Sequence, residues 1–190
     1  MDIRHAIFRS VSVACFATSL TLSHAIAQAG PDHEEVDRLF GELAKPEQPG
    51  WEQIEESISR EWSKSGSAAM DLLLQRGREA LSDGEFDKAL DHFSALTDHA
   101  PDFAEGWNAR ATTWFRMEQY GLALEDISRT LALEPRHFGA MIGLATILRE
   151  LKLEKEALKV LREVEALHPH RPNVINGIEQ LSSRLEGETL

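Results

Sequence analysis

Proline stands at positions 101, 135 and 169 and alanine at 89, 123 and 157, two independent series with one common period. The step, roughly 34 residues, is the length of a stacked unit of two helices. The segments Leu73 to Pro101, Trp107 to Pro135 and Met141 to Pro169 align on it without a gap. A chain built this way buries its apolar faces between neighbouring hairpins, because each unit touches only the next one. The predicted fold class is therefore all-α, and such arrays offer extended surfaces rather than enclosed catalytic clefts.

The places between the markers share a register. Gly77, Ala111 and Ala145 are small residues that let the two helices of one hairpin approach, and Ala89, Ala123 and Ala157 do the same from the facing helix. Large residues at Leu73, Trp107 and Met141 fill the space between successive hairpins. Each proline lies just past a second helix, where a residue without an amide hydrogen stops the helix and stiffens the turn. Three repeats follow, at residues 70–103, 104–137 and 138–171.

Both ends of the chain depart from the period. Residues 1–29 read as a secretory signal peptide: Arg4 and Arg9, an apolar run from Val11 to Leu22, then small residues at Ala25, Ala27 and Ala29. The run is too short to cross a bilayer, which needs roughly 20 residues. Residues 30–66 read as a helical hairpin, with Val36, Leu39, Phe40 and Leu43 on one apolar face and Trp51, Ile54, Ile58 and Trp62 on another. It is expected to be a diverged repeat that caps the N-terminal end of the stack. Ser67 is placed to cap the helix that starts at Ala68. Residues 172–190, carrying Val174, Ile178, Leu181 and Leu185, read as a closing helix and tail.

The small, large and proline series resemble the tetratricopeptide repeat family over residues 70–171. The resemblance implies a right-handed solenoid of antiparallel hairpins that binds a peptide or protein on the concave side, lined by the first helix of each hairpin. It places Leu74 and Arg78, then Asn108, Thr112 and Phe115, then Ile142, Thr146 and Arg149 on that side, as candidate groove residues. Arg76 and Arg110 stand where many family members have leucine. The resemblance pairs Arg110 with Asp126 as a structural ion pair, and offers Arg76 the less certain partners Asp91 and His92. Family members that grip a C-terminal carboxylate use Lys, Arg and Asn at places that here hold Leu74, Arg78, Ala109, Gly139 and Gly143, so that clamp is missing. With its leader and acidity, the chain also resembles small exported repeat proteins of alphaproteobacteria. That likeness implies a periplasmic location and a role in the cell envelope.

Charge and the remaining chemistry narrow the function further. The chain has 20 Lys and Arg against 32 Asp and Glu, a balance that repels nucleic-acid backbones and anionic lipid surfaces. Its single cysteine, Cys15, lies in the leader, so the exported chain would hold together by packing, without disulfides. His168 and His170 flank Pro169 with no Cys or helical i, i+4 pair to complete a metal site. No nucleophile elbow, phosphate-binding loop, dinucleotide fingerprint or HExxH occurs. The expectation is a non-catalytic scaffold without a cofactor or metal, binding a protein or peptide, with no nucleic acid and no membrane insertion once the leader is cut. Self-association through Trp51, Trp62 or the last helix, and binding of a small molecule or cell-wall fragment in the groove, are the alternatives.

Overall fold

The computed structural model describes residues 30–187, so the leader read from 1–29, Cys15 and positions 188–190 lie outside the described residues. Within them the chain forms α1 (His33–Leu43), α2 (Trp51–Trp62), α3 (Ala68–Ser82), α4 (Phe86–His99), α5 (Ala104–Arg116), α6 (Tyr120–Leu133), α7 (Phe138–Glu150), α8 (Glu154–Leu167) and α9 (Pro172–Gly187), and no strand. Helices α3 with α4, α5 with α6 and α7 with α8 make the three hairpins, and α9 closes the stack against α8. The first helices also neighbour one another, α3 on α5 and α5 on α7, so they line the inner face.

The small residues hold the helices together as closely as their backbones allow. A β-carbon built on Gly77 would lie 2.3 Å from a ring carbon of Phe93, which is fully buried on α4. Ala89, Ala123 and Ala157 are themselves completely buried at the matching approach. The turn inside each hairpin is also periodic. Gly84, Glu118 and Lys152 share one place in the repeat and take positive φ of 77°, 59° and 61°. The residue after each closes the helix with a bond from its amide to the carbonyl five positions back: Glu85 to Ala80, Gln119 to Trp114 and Leu153 to Leu148. Only the glycine adopts this backbone without strain.

Arg110 bolts two repeats together. Its Nε donates to Asp126 Oδ2 and its Nη2 to Asp126 Oδ1, both at 2.8 Å, while Nη1 donates to Thr97 Oγ1 at 3.0 Å on α4 of the preceding repeat. The guanidinium also lies 4.8 Å from the Trp107 ring centroid. Asp126 holds the Arg110 guanidinium firmly charged through that hydrogen-bonded pairing, against the opposing effect of burial. Arg76 is different: it is exposed, so the expected buried charge does not arise there and it needs no carboxylate partner. Ser67 occupies the N-cap position of α3 in an extended conformation, yet its side chain makes no capping bond. The preceding turn is closed instead by Asp71 Oδ1, which accepts from the Ser65 amide at 2.8 Å and from its hydroxyl.

The N-terminal hairpin corrects the largest expectation. It does not cap α3. Val36, Leu39, Phe40, Leu43, Ile58 and Trp62 instead join one buried cluster with Phe138, Met141 and the α8 and α9 core. Phe40 and Trp62 stand 6.2 and 5.0 Å from Phe138. The fully buried Val36, Leu43 and Ile58 each gain about 1.5–3 kcal/mol by this burial.

Substitutions at these positions test the contacts. Gly77→Ala is expected to destabilise the protein by about 1–3 kcal/mol through overpacking against Phe93. Gly121→Ala, where no atom lies within 4 Å, should leave the melting temperature unchanged or raise it. Asp126→Ala leaves Arg110 without its carboxylate and should cost about 2–3 kcal/mol, at the low end for a buried pair because Arg110 keeps some solvent access. A double-mutant cycle with Arg110→Ala, read by urea unfolding, should show clear coupling, and additivity would refute the bolt.

Candidate functional site

The inner face presents one open cavity, between α5 and α7. Its volume is about 230 Å³, and Asn108, Thr112 and Phe115 line it from one side with Ile142 and Thr146 from the other. These five are candidate groove residues: Asn108 and Thr112 recur in register as Ile142 and Thr146 on the next first helix, and Phe115 lies one turn beyond Thr112. Gly139 and Gly143 lie between them on α7 and leave the floor open; a β-carbon on Gly143 would make only an ordinary 3.6 Å contact, with Ile127. No ionisable side chain lines this cavity. The hydroxyls of Thr112 and Thr146 donate to the carbonyls of Asn108 and Ile142 one turn back on their own helices, at 3.0 and 2.8 Å. They offer a ligand acceptor capacity only. Asn108 donates to Glu105 Oε2 at 3.0 Å, which fixes its amide at the end of the cavity.

The other three candidate groove residues lie elsewhere. Leu74 is a core residue, only 2 % exposed, in the cluster with Phe93, Leu96, Phe103 and Ala109. Ala109 of α5 joins Leu74 in that buried cluster, which closes the groove the register predicted there. Arg78 is exposed but engaged, donating to Glu105 Oε1 and, at 3.2 Å, to Ser63 Oγ beyond the end of α2. Arg149 is exposed and stands outside the cavity.

Glu105, which the sequence marks only as another inner-face position, is the charged centre of this end of the groove. It accepts from Arg78, Asn108 and His137, whose Nε2 lies 2.9 Å away. The Ala140 amide donates to His137 Nδ1 at 3.2 Å, so the Nε2 nitrogen carries the proton. Burial pushes the Glu105 carboxyl up, but the hydrogen bond from His137 and the charge of Arg78 outweigh it and hold the group below its ordinary value. Glu55 on α2 repeats the arrangement: burial raises it, while His168 at 2.8 Å and Arg171 at 2.9 Å bring it below the ordinary value. Nothing in the repeat period reports either cluster, since each joins residues from different structural roles.

Among the described residues no group of three or more His, Cys, Asp or Glu side chains is placed to hold a metal ion, and no helix is long and apolar enough to cross a membrane.

Both lowered carboxylates make stability depend on pH with a definite sign. Their contribution is complete above the unfolded glutamate value of about 4.3 and is lost as pH falls through the lower folded values. Urea unfolding between pH 6 and 3 should therefore show a steep loss below about pH 4.3. Glu105→Gln should flatten that loss relative to the parent, and an unchanged slope would show that Glu105 is not held ionised.

Comparison with known proteins agrees with this geometry. The family model for the tetratricopeptide repeat matches residues 74–116 and 110–172. A TPR repeat-containing protein of Rhizobium etli is 34 % identical over 155 residues, covering 81 % of this chain and 76 % of its own. The first TPR of Spaghetti (RPAP3), solved bound to an HSP90 peptide, superimposes with a TM-score of 0.60 at 23 % identity, over 63 % of this chain and 98 % of that one. A MamA mutant superimposes with a TM-score of 0.52 at 16 % identity, over 81 % of this chain and 87 % of that one. A family model spanning more than half of the sequence, together with a relative at this identity and coverage, shows that the chain belongs to the tetratricopeptide repeat family.

Proposed function

We propose that this protein is a non-catalytic interaction scaffold whose ligand is a peptide segment bearing a bulky apolar side chain, held between α5 and α7. The observation that carries the reading is the uncharged cavity of Asn108, Thr112, Phe115, Ile142 and Thr146, where α7 contributes glycine in place of a side chain at positions 139 and 143. Binding there needs little reorganisation, because the walls are helices locked by their neighbours. The structural neighbour that holds an HSP90 peptide supports peptide binding as a use of this fold. The ligand here differs in chemistry: no Lys or Arg lines the cavity, so an acidic C-terminus finds no counter-charge.

Its volume also weighs against the small-molecule alternative, since such sites occupy roughly 300–1,000 Å³. Trp51 and Trp62 contact His168 and Phe138 of their own chain, which weighs against them as a surface for self-association. The basic, apolar and small-residue regions within positions 1–29 support export, and with it a periplasmic role in assembling or maintaining the cell envelope.

A displayed library of random peptides selected on the protein tests the site. Enriched sequences should carry a central Leu, Ile, Met or Phe without clustered carboxylates. Gly143→Leu, which puts a side chain into the cavity, should weaken their binding at least tenfold, about 1.4 kcal/mol, without lowering the melting temperature. Binding indifferent to both Gly143→Leu and Phe115→Ala would sink the reading.

A further inference from the structure

A second surface is more unusual than the groove. Helix α2 crosses the turns that precede α7 and α9 and lays one face on them. Trp51 meets His168 edge-on at 5.3 Å, Glu55 one turn later bridges His168 and Arg171, and Trp62 stacks on His137 at 4.3 Å with an interplanar angle of 15°. Residues i, i+4, i+7 and i+11, including the fully buried Ile58, form a single stripe. This is the way a helical ligand lies in a groove, anchored at regular turns.

Charge differs across this contact, although the seat also holds Glu134, 3.6 Å from Arg136, and Glu105 beside His137. Between His33 and Trp62 the hairpin has nine Asp and Glu against three Lys and Arg. Its seat offers Arg136, His137, His168, His170 and Arg171 in a chain that is acidic overall. Arg136 pairs with Asp37 at 2.8 Å and lies over the Phe40 ring at 4.6 Å, and His170 Nε2 is 2.8 Å from the Lys45 carbonyl oxygen.

The fit is nonetheless incomplete. Among the described residues two buried side-chain polar atoms have no hydrogen-bond partner, Trp62 Nε1 and His168 Nδ1, and both belong to this contact. A cavity of about 400 Å³ also remains between Pro31, Trp62 and Ser65 of the hairpin side and Ala100, Phe103 and Leu133 of the repeats. Permanent cores rarely leave buried polar atoms unsatisfied. The connection to α3, residues 63–67, contains Gly66 at a positive φ of 81° and is the sole covalent tie between hairpin and repeats.

We propose that this seat is a docking surface for an acidic amphipathic helix, with α2 as its tethered occupant and a helix of the same pattern from a partner protein as its exchangeable one. The partner helix carries bulky aromatic residues where α2 has Trp51 and Trp62, and a carboxylate where it has Glu55. A tethered occupant acts at an effective concentration in the millimolar range, so a free helix competes only weakly until the tether's own contacts are loosened.

The test uses the full chain and a fluorescent peptide of residues 48–64 as the probe. The intact chain should bind it poorly. Glu55→Ala, which loosens the tethered helix without offering residue 171 a new partner, should raise the affinity at least tenfold. Adding Arg171→Glu should abolish that gain, and a probe carrying Glu55→Arg should restore it, which separates lost recognition from lost folding. Gly143→Leu should leave all of these values unchanged, so the result is independent of the groove between α5 and α7. Hydrogen exchange on the unaltered chain should show the α1 and α2 amides opening together before those of α5 to α8. The proposal is overturned if the probe binds no variant, if Arg171→Glu has no effect, if binding proceeds only through dimers of the chain, or if the hairpin amides exchange only on global unfolding.

Discussion

Everything in this molecule depends on how closely the two helices of each hairpin approach. At Gly77 the facing Phe93 ring lies where a methyl group would be, and at Ala89, Ala123 and Ala157 nothing larger than a methyl reaches the contact. That spacing decides the tilt of each hairpin, and through it the curvature that makes an inner face. The proline after each second helix and the left-handed residue between the helices keep the two connections equally short. A change of register in either would move the next repeat off the groove.

The inner face so formed is not uniform. Between α3 and α5 it closes, so Leu74 becomes core and Arg78 is drawn to Glu105. Between α5 and α7 it stays open, because Gly139 and Gly143 remove the side chains that would fill it. One repeating rule thus yields a filled half and a free half, and the difference rests on two glycines rather than on any departure in backbone. The charged cluster at Glu105 marks the boundary. It sits beneath the end of α2, where Ser63 and Trp62 arrive from the hairpin.

Much of the fold was legible because helical repeats encode their contacts locally. The positions of α3 to α8 follow from the repeat step, while the pairing of Arg110 with Asp126 and the five residues that line the open cavity were implied by the resemblance to the family. Leu74 is core rather than groove because exposure on an inner face depends on the side chains that the next helix sets against it, here Ala109 in the same buried cluster. Glu118 and Lys152 were invisible as left-handed residues, since neither carries the glycine signal that Gly84 does. The roles of His137, His168 and Glu55 were equally hidden: each pairs with a partner distant in the chain and outside its own repeat register.

By itself, then, the sequence determined the three hairpins and the resemblance to the family, because those follow from small, large and proline residues at fixed intervals, and the resemblance in turn implied which helix of each faces inward. Only the tertiary structure decided where the first hairpin goes. Its two apolar faces announce a helical pair that must be covered, but hydrophobic burial is not directional and does not name the surface that will cover it. Aromatic area at Phe138, together with Arg136, His168 and Arg171 opposite Asp37 and Glu55, drew it to the third repeat instead of the first. That choice turned an expected end cap into a helix lying across the stack.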